Sequence, residues 1–334
     1  LSSVEDVLGV GYTSSSSSGG NSVQLVDEHV GYGVMDGGKR LYRTQDGGLT
    51  WEEDMGVSGA DVWDICLESS GVKGYMVGDG GQVYYTNSGG MQWEEVALPE
   101  LAEYTQWRGV GSTVSFTSGT PPLSVGGSTT TVETVVVGEH RVASLTATGV
   151  WHVDSPSVFS DVDLEKVVSD GNNHFYAVGN RTQVLGGESY RTGVIYVSDA
   201  VYPLSWQAVS VLPTSSSLGN HYAGVLSSGF QGSLRVGSAD GSIRRLVETS
   251  AVSEYSGLSN VEVLEAITLN ASGAQVALLR NATGIVSLQY RSSGADSVWQ
   301  AVPGAPQGLT QLTSLRMQEN GASQFLGLCG GTFN

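Results

Sequence analysis

The residues best placed to do chemistry in this chain sit in two matching turns. Thr44-Gln45-Asp46-Gly47-Gly48-Leu49-Thr50-Trp51 is followed, 42 residues later, by Thr86-Asn87-Ser88-Gly89-Gly90-Met91-Gln92-Trp93. A short polar acceptor at the third place, Asp46 or Ser88, takes backbone N–H bonds across a turn in the manner of an Asx-turn. Gly48 and its counterpart Gly90 provide the positive φ such a turn needs. Thr44 and Thr50 add hydroxyl hydrogen bonds, and Thr86 stands where Thr44 does. Trp51 and Trp93 set a large apolar ring beside the turn, placed to wedge between sheets. The chemistry expected is conformational: the residues hold a hairpin and form no reactive centre.

Other chemistries lack their residue patterns. His29, His140, His152, His174 and His221 show no His-x-x-x-His spacing, so no metal centre is expected. Asp36-Gly37-Gly38 and Asp79-Gly80-Gly81 lack the alternating acids of a calcium loop and read as tight hairpin turns. No helical pattern follows Gly31-Tyr32-Gly33 or Gly78-Asp79-Gly80-Gly81, which excludes a nucleotide loop. No Gly-x-Ser-x-Gly precedes a helix, so a hydrolase elbow is absent. A sialidase would carry three substrate-gripping arginines, a Tyr–Glu pair and an early Arg-Ile-Pro. Arg-Ile-Pro does not occur, and glycosidase activity is the least favoured reading. No cofactor and no small-molecule substrate are expected. The net charge of −18 repels nucleic acid and anionic membranes.

The elements that position these turns repeat as well. Val23 to Val26, His29 to Met35 and Lys39 to Arg43 are strand patterns leading to Trp51. Val62 to Leu67, Gly74 to Gly78 and Gln82 to Tyr85 lead in the same way to Trp93. The order recurs up to Trp151, Trp206, Tyr255 and Trp299, in steps of 42, 58, 55, 49 and 44 residues. A period of this size, made of short strands and Gly turns, is the mark of a radial β-sheet array. Leu312 to Arg316 and Phe325 to Cys329 begin one more unit. The sequence therefore predicts a single all-β domain over residues 1–334: a seven-bladed β-propeller of four-stranded antiparallel blades. Val4 to Val10 would close the last blade, and six blades are the alternative. Ser14 to Ser18, Gly111 to Thr131, Thr182 to Tyr190 and Pro213 to Gly219 read as exposed, mobile insertions.

Two resemblances follow from these residues. The turn Thr-x-Asp-x-Gly-x-Thr-Trp resembles the Asp-box (BNR repeat) of sialidase-like propellers, where it is structural. The longer pattern Gly-Tyr-x-Val-Gly-x-x-Gly-x-Val-Tyr-x-Thr-x-x-Gly-Gly-x-x-Trp, from Gly74 to Trp93, resembles the photosystem II stability and assembly factor family. The likeness is specific in the first two repeats and faint in the others. It implies a non-enzymatic propeller in the thylakoid lumen of a chloroplast that binds a newly made subunit of a photosynthetic membrane complex. That family holds its acidic partner with an arginine patch near the axis. Here Arg40, Arg43, Arg141, Arg244 and Arg245 lie on or beside third strands and are the candidates for such a patch. The alternative is a secreted propeller serving an extracellular assembly. Leu1-Ser2-Ser3-Val4-Glu5 reads as a processed mature end, which suits either export or organelle import. Asn180, Asn270 and Asn281 begin Asn-x-Ser/Thr sequons and are the candidate glycosylation sites. Cys66 and Cys329 either pair across the chain ends or act as small apolar residues. No apolar stretch is long enough to span a membrane.

Overall fold

Short runs rich in Val, Ile, Tyr and Thr, cut by Gly and Asp-Gly, can bury one face only by stacking on a neighbour. The computed structural model shows that solution. It describes residues 22–26, 29–35, 40–47, 50–53, 62–68, 71–99, 105–112, 130–170, 173–185, 187–211, 222–228, 234–238, 241–255, 261–268, 274–292, 298–302, 312–320 and 323–330. Among them the only helical pieces are single 3-10 turns at Asp79–Gly81 and Ser157–Phe159. No helix there is long and apolar enough to cross a membrane.

Six sheets are each built on four antiparallel strands, and two of them carry a fifth. Blade one is β1 (Ser22–Leu25), β2 (Gly31–Met35), β3 (Arg40–Thr44) and β4 (Glu52–Glu53). Blade two is β5 (Val62–Leu67), β6 (Gly74–Gly78), β7 (Val83–Thr86) and β8 (Glu94–Glu95). Blade three is β9 (Trp107–Ser112), β10 (Thr130–Gly138), β11 (Val142–Thr146) and β12 (Trp151–Asp154). Blade four comprises β13 (Val162–Ser169), β14 (His174–Leu185) and β15 (Glu188–Asp199); after them β16 (Val201–Tyr202) pairs back onto β10, and β17 (Gln207–Ala208) closes the blade. The short β18 (Ser210–Val211) lies parallel to β22, described next. Blade five is β19 (Tyr222–Ser228), β20 (Leu234–Ser238), β21 (Ile243–Val247) and β22 (Ser250–Tyr255). Blade six is β23 (Val261–Thr268), β24 (Gln275–Asn281), β25 (Val286–Arg291) and β26 (Gln300–Ala301). A seventh sheet has two strands, β27 (Leu312–Asn320) and β28 (Ser323–Gly330).

The first strands β1, β5, β9, β13, β19, β23 and β27 are neighbours in that order, and β27 returns to β1. The sheets thus fan about an axis as a propeller. Seven complete blades were expected, but the described residues contain six. β27 and β28 pair only with each other there, and the closing segment Val4 to Val10 lies outside the described residues. A second correction concerns Thr182 to Tyr190. This stretch is no loose insertion: β14 and β15 pair without a break from His174↔Asp199 to Leu185↔Glu188. Ser14 to Ser18, Pro213 to Gly219 and most of Gly111 to Thr131 lie outside the described residues.

The core is divided into layers between blades. Tyr32, Val34 and Leu41 of blade one meet Val62, Ile65, Leu67 and Met76 of blade two, with Trp93 packed against them. Trp151 packs in the same way where blade two meets blade three. Trp206 stands between blades three and four, and Trp299 between blades five and six. Each of these indoles therefore faces the preceding blade. Near the axis the buried Asp64 of β5 accepts the backbone N–H of Val110 in β9 at 3.1 Å, which ties two inner strands together.

Candidate functional site

The repeated turns behave as their residue types require. In blade one Asp46 Oδ1 accepts the backbone N–H of Thr50 at 2.9 Å and the Thr44 hydroxyl at 2.9 Å, while Oδ2 accepts the Thr50 hydroxyl at 2.5 Å. In blade two the Ser88 hydroxyl accepts the N–H of Gln92 at 3.0 Å, and Thr86 Oγ1 accepts those of Ser88 and Gly90 at 3.2 and 2.9 Å. Asp46 and Ser88 thus do the same work four residues upstream of a turn amide. Gly47, Gly89 and Gly90 have positive φ (74°, 63° and 81°), whereas Gly48 lies outside the described residues. The second turn also rests on blade one: the Tyr32 hydroxyl donates to the Gly89 carbonyl. Trp51 is half-buried. These hydrogen bonds tie each turn to itself and the second turn to the neighbouring blade.

The five candidate arginines do not come together. Arg40 pairs with Glu53 at 3.0 Å within blade one. Arg43, on the same strand, places its guanidinium 5.9 Å from the Tyr32 ring centre. Arg141 donates to Thr105 Oγ1 at 3.0 Å in blade three. Arg244 is buried in blade five and donates to Ser242 Oγ at 2.8 Å, while its neighbour Arg245 reaches Glu254 at 3.3 Å. They are spread over blades one, three and five, and adjacent strand residues point to opposite faces of a sheet. The expected patch is therefore not formed by this set.

A different constellation bridges blades two and three beside the axis. Trp63 near the start of β5 donates its indole N–H to Asp79 Oδ1 at 2.6 Å. Arg108, near the start of β9, lies over that indole with Cζ 3.8 Å from the ring centre, and its Nη2 donates to Gln106 Oε1. Both side chains are half-buried. A guanidinium stacked on an indole gains roughly 0.5–2 kcal/mol and is held in one orientation. Trp and Arg in this state are the side chains that most often anchor a protein interface. Sequence reasoning passed over the pair because the two residues are far apart in the chain. The available signal was register: each is the second residue of its blade's inner strand.

A carboxylate beside the aromatic layer of blade two is also perturbed. Burial raises Glu68 above the ordinary carboxylate range; Lys73 opposes the shift and Glu133 adds to it. The neighbouring Tyr75 hydroxyl is raised as well, chiefly by burial. On blade four, burial followed by the charge of Asp170 pushes Tyr176 up to about 12. No cluster of three or more His, Cys, Asp or Glu side chains able to hold a metal occurs among the described residues.

The three sequons fare differently. Asn180 is 5% exposed and its Nδ2 donates to Glu165 Oε1 at 2.6 Å, so the nitrogen that would carry a glycan is buried and engaged. Asn180 is therefore withdrawn as a candidate. Asn281 is exposed at the turn between β24 and β25, and its Oδ1 accepts the N–H groups of Thr283 and Ile285 and the Thr283 hydroxyl. Asn270 lies outside the described residues, as does the side chain of Cys329, so its pairing with Cys66 lies outside them too.

No protein-family model and no curated protein sequence matches this chain. Solved structures do match. YCF48 from Cyanidioschyzon merolae is 14% identical at TM-score 0.58, over 94% of this chain and 93% of its own. A structure of YCF48 bound to D1 peptide has the same identity and score, over 97% and 96%. Virginiamycin B lyase from Staphylococcus aureus is 11% identical at TM-score 0.61, over 93% and 94%. At such identities the likeness establishes the β-propeller fold, shared by a binding protein and an enzyme alike.

Proposed function

We propose that this chain is a non-catalytic, single-domain scaffold that holds a protein partner, with Trp63 and Arg108 as the anchor. The observation that carries the reading is that stack: a rigid, half-buried arginine–indole pair spanning two blades. The fold likeness to YCF48 bound to D1 peptide supports a peptide-binding role. The repeated turns, read as Asp-boxes, serve the frame alone. The partner we favour is a subunit of a photosynthetic membrane complex met in the thylakoid lumen, on the strength of the Gly74 to Trp93 pattern. In this reading Val4 to Val10 pairs with the seventh sheet and completes the ring.

Capture from native membranes tests the proposal. Tagged wild-type chain should retain one defined subunit, and Trp63→Ala or Arg108→Ala should lose it while keeping the wild-type circular dichroism spectrum. Retention by both variants would sink the assignment of the anchor. Turnover of any member of a fluorogenic glycoside panel would sink the non-enzyme reading. Deleting residues 1–10 should lower the melting midpoint if that segment closes the ring. The second reading, a secreted propeller, is favoured by one observation, the exposed sequon at Asn281.

A further inference from the structure

We infer that the arginine cluster where blades five and six meet is an oxyanion site, taking a carboxylate or phosphate group. Arg235 of β20 is nearly buried, with 6% of its side chain exposed. It forks onto Glu254 of β22, through Nε to Oε2 at 3.0 Å and Nη2 to Oε1 at 2.9 Å. Arg245 stands directly opposite Arg235 across the sheet and reaches Glu254 Oε1 with Nε at 3.3 Å. From blade six, Gln275 donates to Glu254 Oε2 at 2.8 Å, and Arg291, opposite Gln275, donates to Gln275 Oε1 at 2.9 Å. Two guanidiniums therefore meet on one carboxylate and a third is linked to it through Gln275, in a chain whose overall charge is −18.

The donors and acceptors do not balance. Both oxygens of Glu254 are already engaged, by four donor nitrogens between them. Arg235 Nη1 is buried and has no acceptor among the described residues. Arg245 meets Glu254 through Nε, and 48% of its side chain is exposed. Burial lowers the Arg235 pKa from its ordinary value and Glu254 raises it again, while Arg245 and Arg291 add to the lowering. Like charges directly opposite in a sheet repel, and a buried unpaired donor in a folded protein calls for an explanation. A second oxyanion supplies both missing things, a negative charge and acceptors for planar guanidinium forks. An oxyanion arriving free and one carried on an acidic peptide satisfy the same donors. The inference does not rest on the scaffold reading, since it uses other blades and other residues.

Isothermal titration with sodium phosphate, and separately with a penta-glutamate peptide, tests it at constant ionic strength in chloride buffer. Wild-type protein should bind at least one of the two saturably. Arg245→Ala and Arg245→Gln, both at an exposed position, should weaken that binding by about tenfold or more, the effect of losing a charge-assisted hydrogen bond. Glu254→Gln should strengthen it, because the internal competitor loses its charge. Binding of phosphate marks a site open to free oxyanions; binding of the peptide alone marks one for a partner's carboxylates. No saturable heat with either ligand would overturn the inference. So would Arg245 variants that bind as wild type, or weaker binding by a folded Glu254→Gln. Membrane capture through Trp63 is read out separately and is unaffected by either result.

Discussion

Alanine at two glycines of blade two separates backbone strain from contact between blades. Gly80 and Gly90 both sit in the left-handed region, at φ 74° and 81°. A Cβ on Gly80 would meet nothing within 4 Å, whereas one on Gly90 would lie 2.4 Å from Tyr32 Cζ. The Tyr32 ring is fully buried in the layer between blades one and two, so it has little room to retreat. Both substitutions incur the left-handed cost, about 1–2 kcal/mol. Gly90→Ala adds the strain of overpacking, about 1–3 kcal/mol. Expected losses are thus about 1 kcal/mol for Gly80→Ala and about 3–4 kcal/mol for Gly90→Ala. With an unfolding entropy of ~2.1 cal/mol/K per residue over 334 residues, 1 kcal/mol corresponds to roughly 1.5 °C. Calorimetry should then show melting drops of about 1.5 °C and about 5 °C. In a Tyr32→Leu background the excess at Gly90, about 2 kcal/mol, should largely vanish, because residues in contact are not additive. Equal losses at the two glycines, or an excess that persists without the tyrosine ring, would refute the argument that the turn of one blade is seated on the blade before it.

Asp46→Ala should cost about 1 kcal/mol in urea unfolding, as for loss of a capping side chain, and Asp46→Ser less, since Ser88 does the same work in blade two; partner capture should be unchanged by either. Glu68 has a folded pKa above its unfolded one, so its contribution to stability is fully present below the unfolded pKa and is lost as pH rises through the folded one. Glu68→Gln should therefore raise the melting midpoint at pH 7 and leave it nearly unchanged near pH 4; a fall at pH 7 would contradict the burial argument. Expressed in a glycosylating host, the protein should carry hexose on Asn281 and none on Asn180 by peptide mass mapping, and modification of Asn180 would contradict its placement.

The frame was readable because propeller blades are local. Second and third strands are joined by short turns, and their alternation and Asp-Gly punctuation lie within one window. The indoles at Trp93, Trp151, Trp206 and Trp299 mark blades for the same reason. Interblade chemistry was not readable. Trp63 and Arg108 come from different blades, as do Glu254 and Gln275, and the connections between blades vary in length. The arginine patch failed on strand parity: Arg244 and Arg245 are consecutive, so one is buried and the other exposed. The far end of the β14–β15 hairpin carries no apolar alternation in its polar residues, and backbone pairing alone extends it. Val4 to Val10, the segment expected to complete the last blade, lies outside the described residues.

The outermost strands of blades one, two, four and six are two residues long. The six-residue β22 of blade five is partly covered by β18. At these edges few consecutive amides are offered to a strand from outside. Lateral recruitment of a second sheet, the usual route to fibrils, is thereby discouraged without any special charge. An extended segment of another chain would meet the same barrier at these edges, so that side chains rather than peptide groups would decide what is held there.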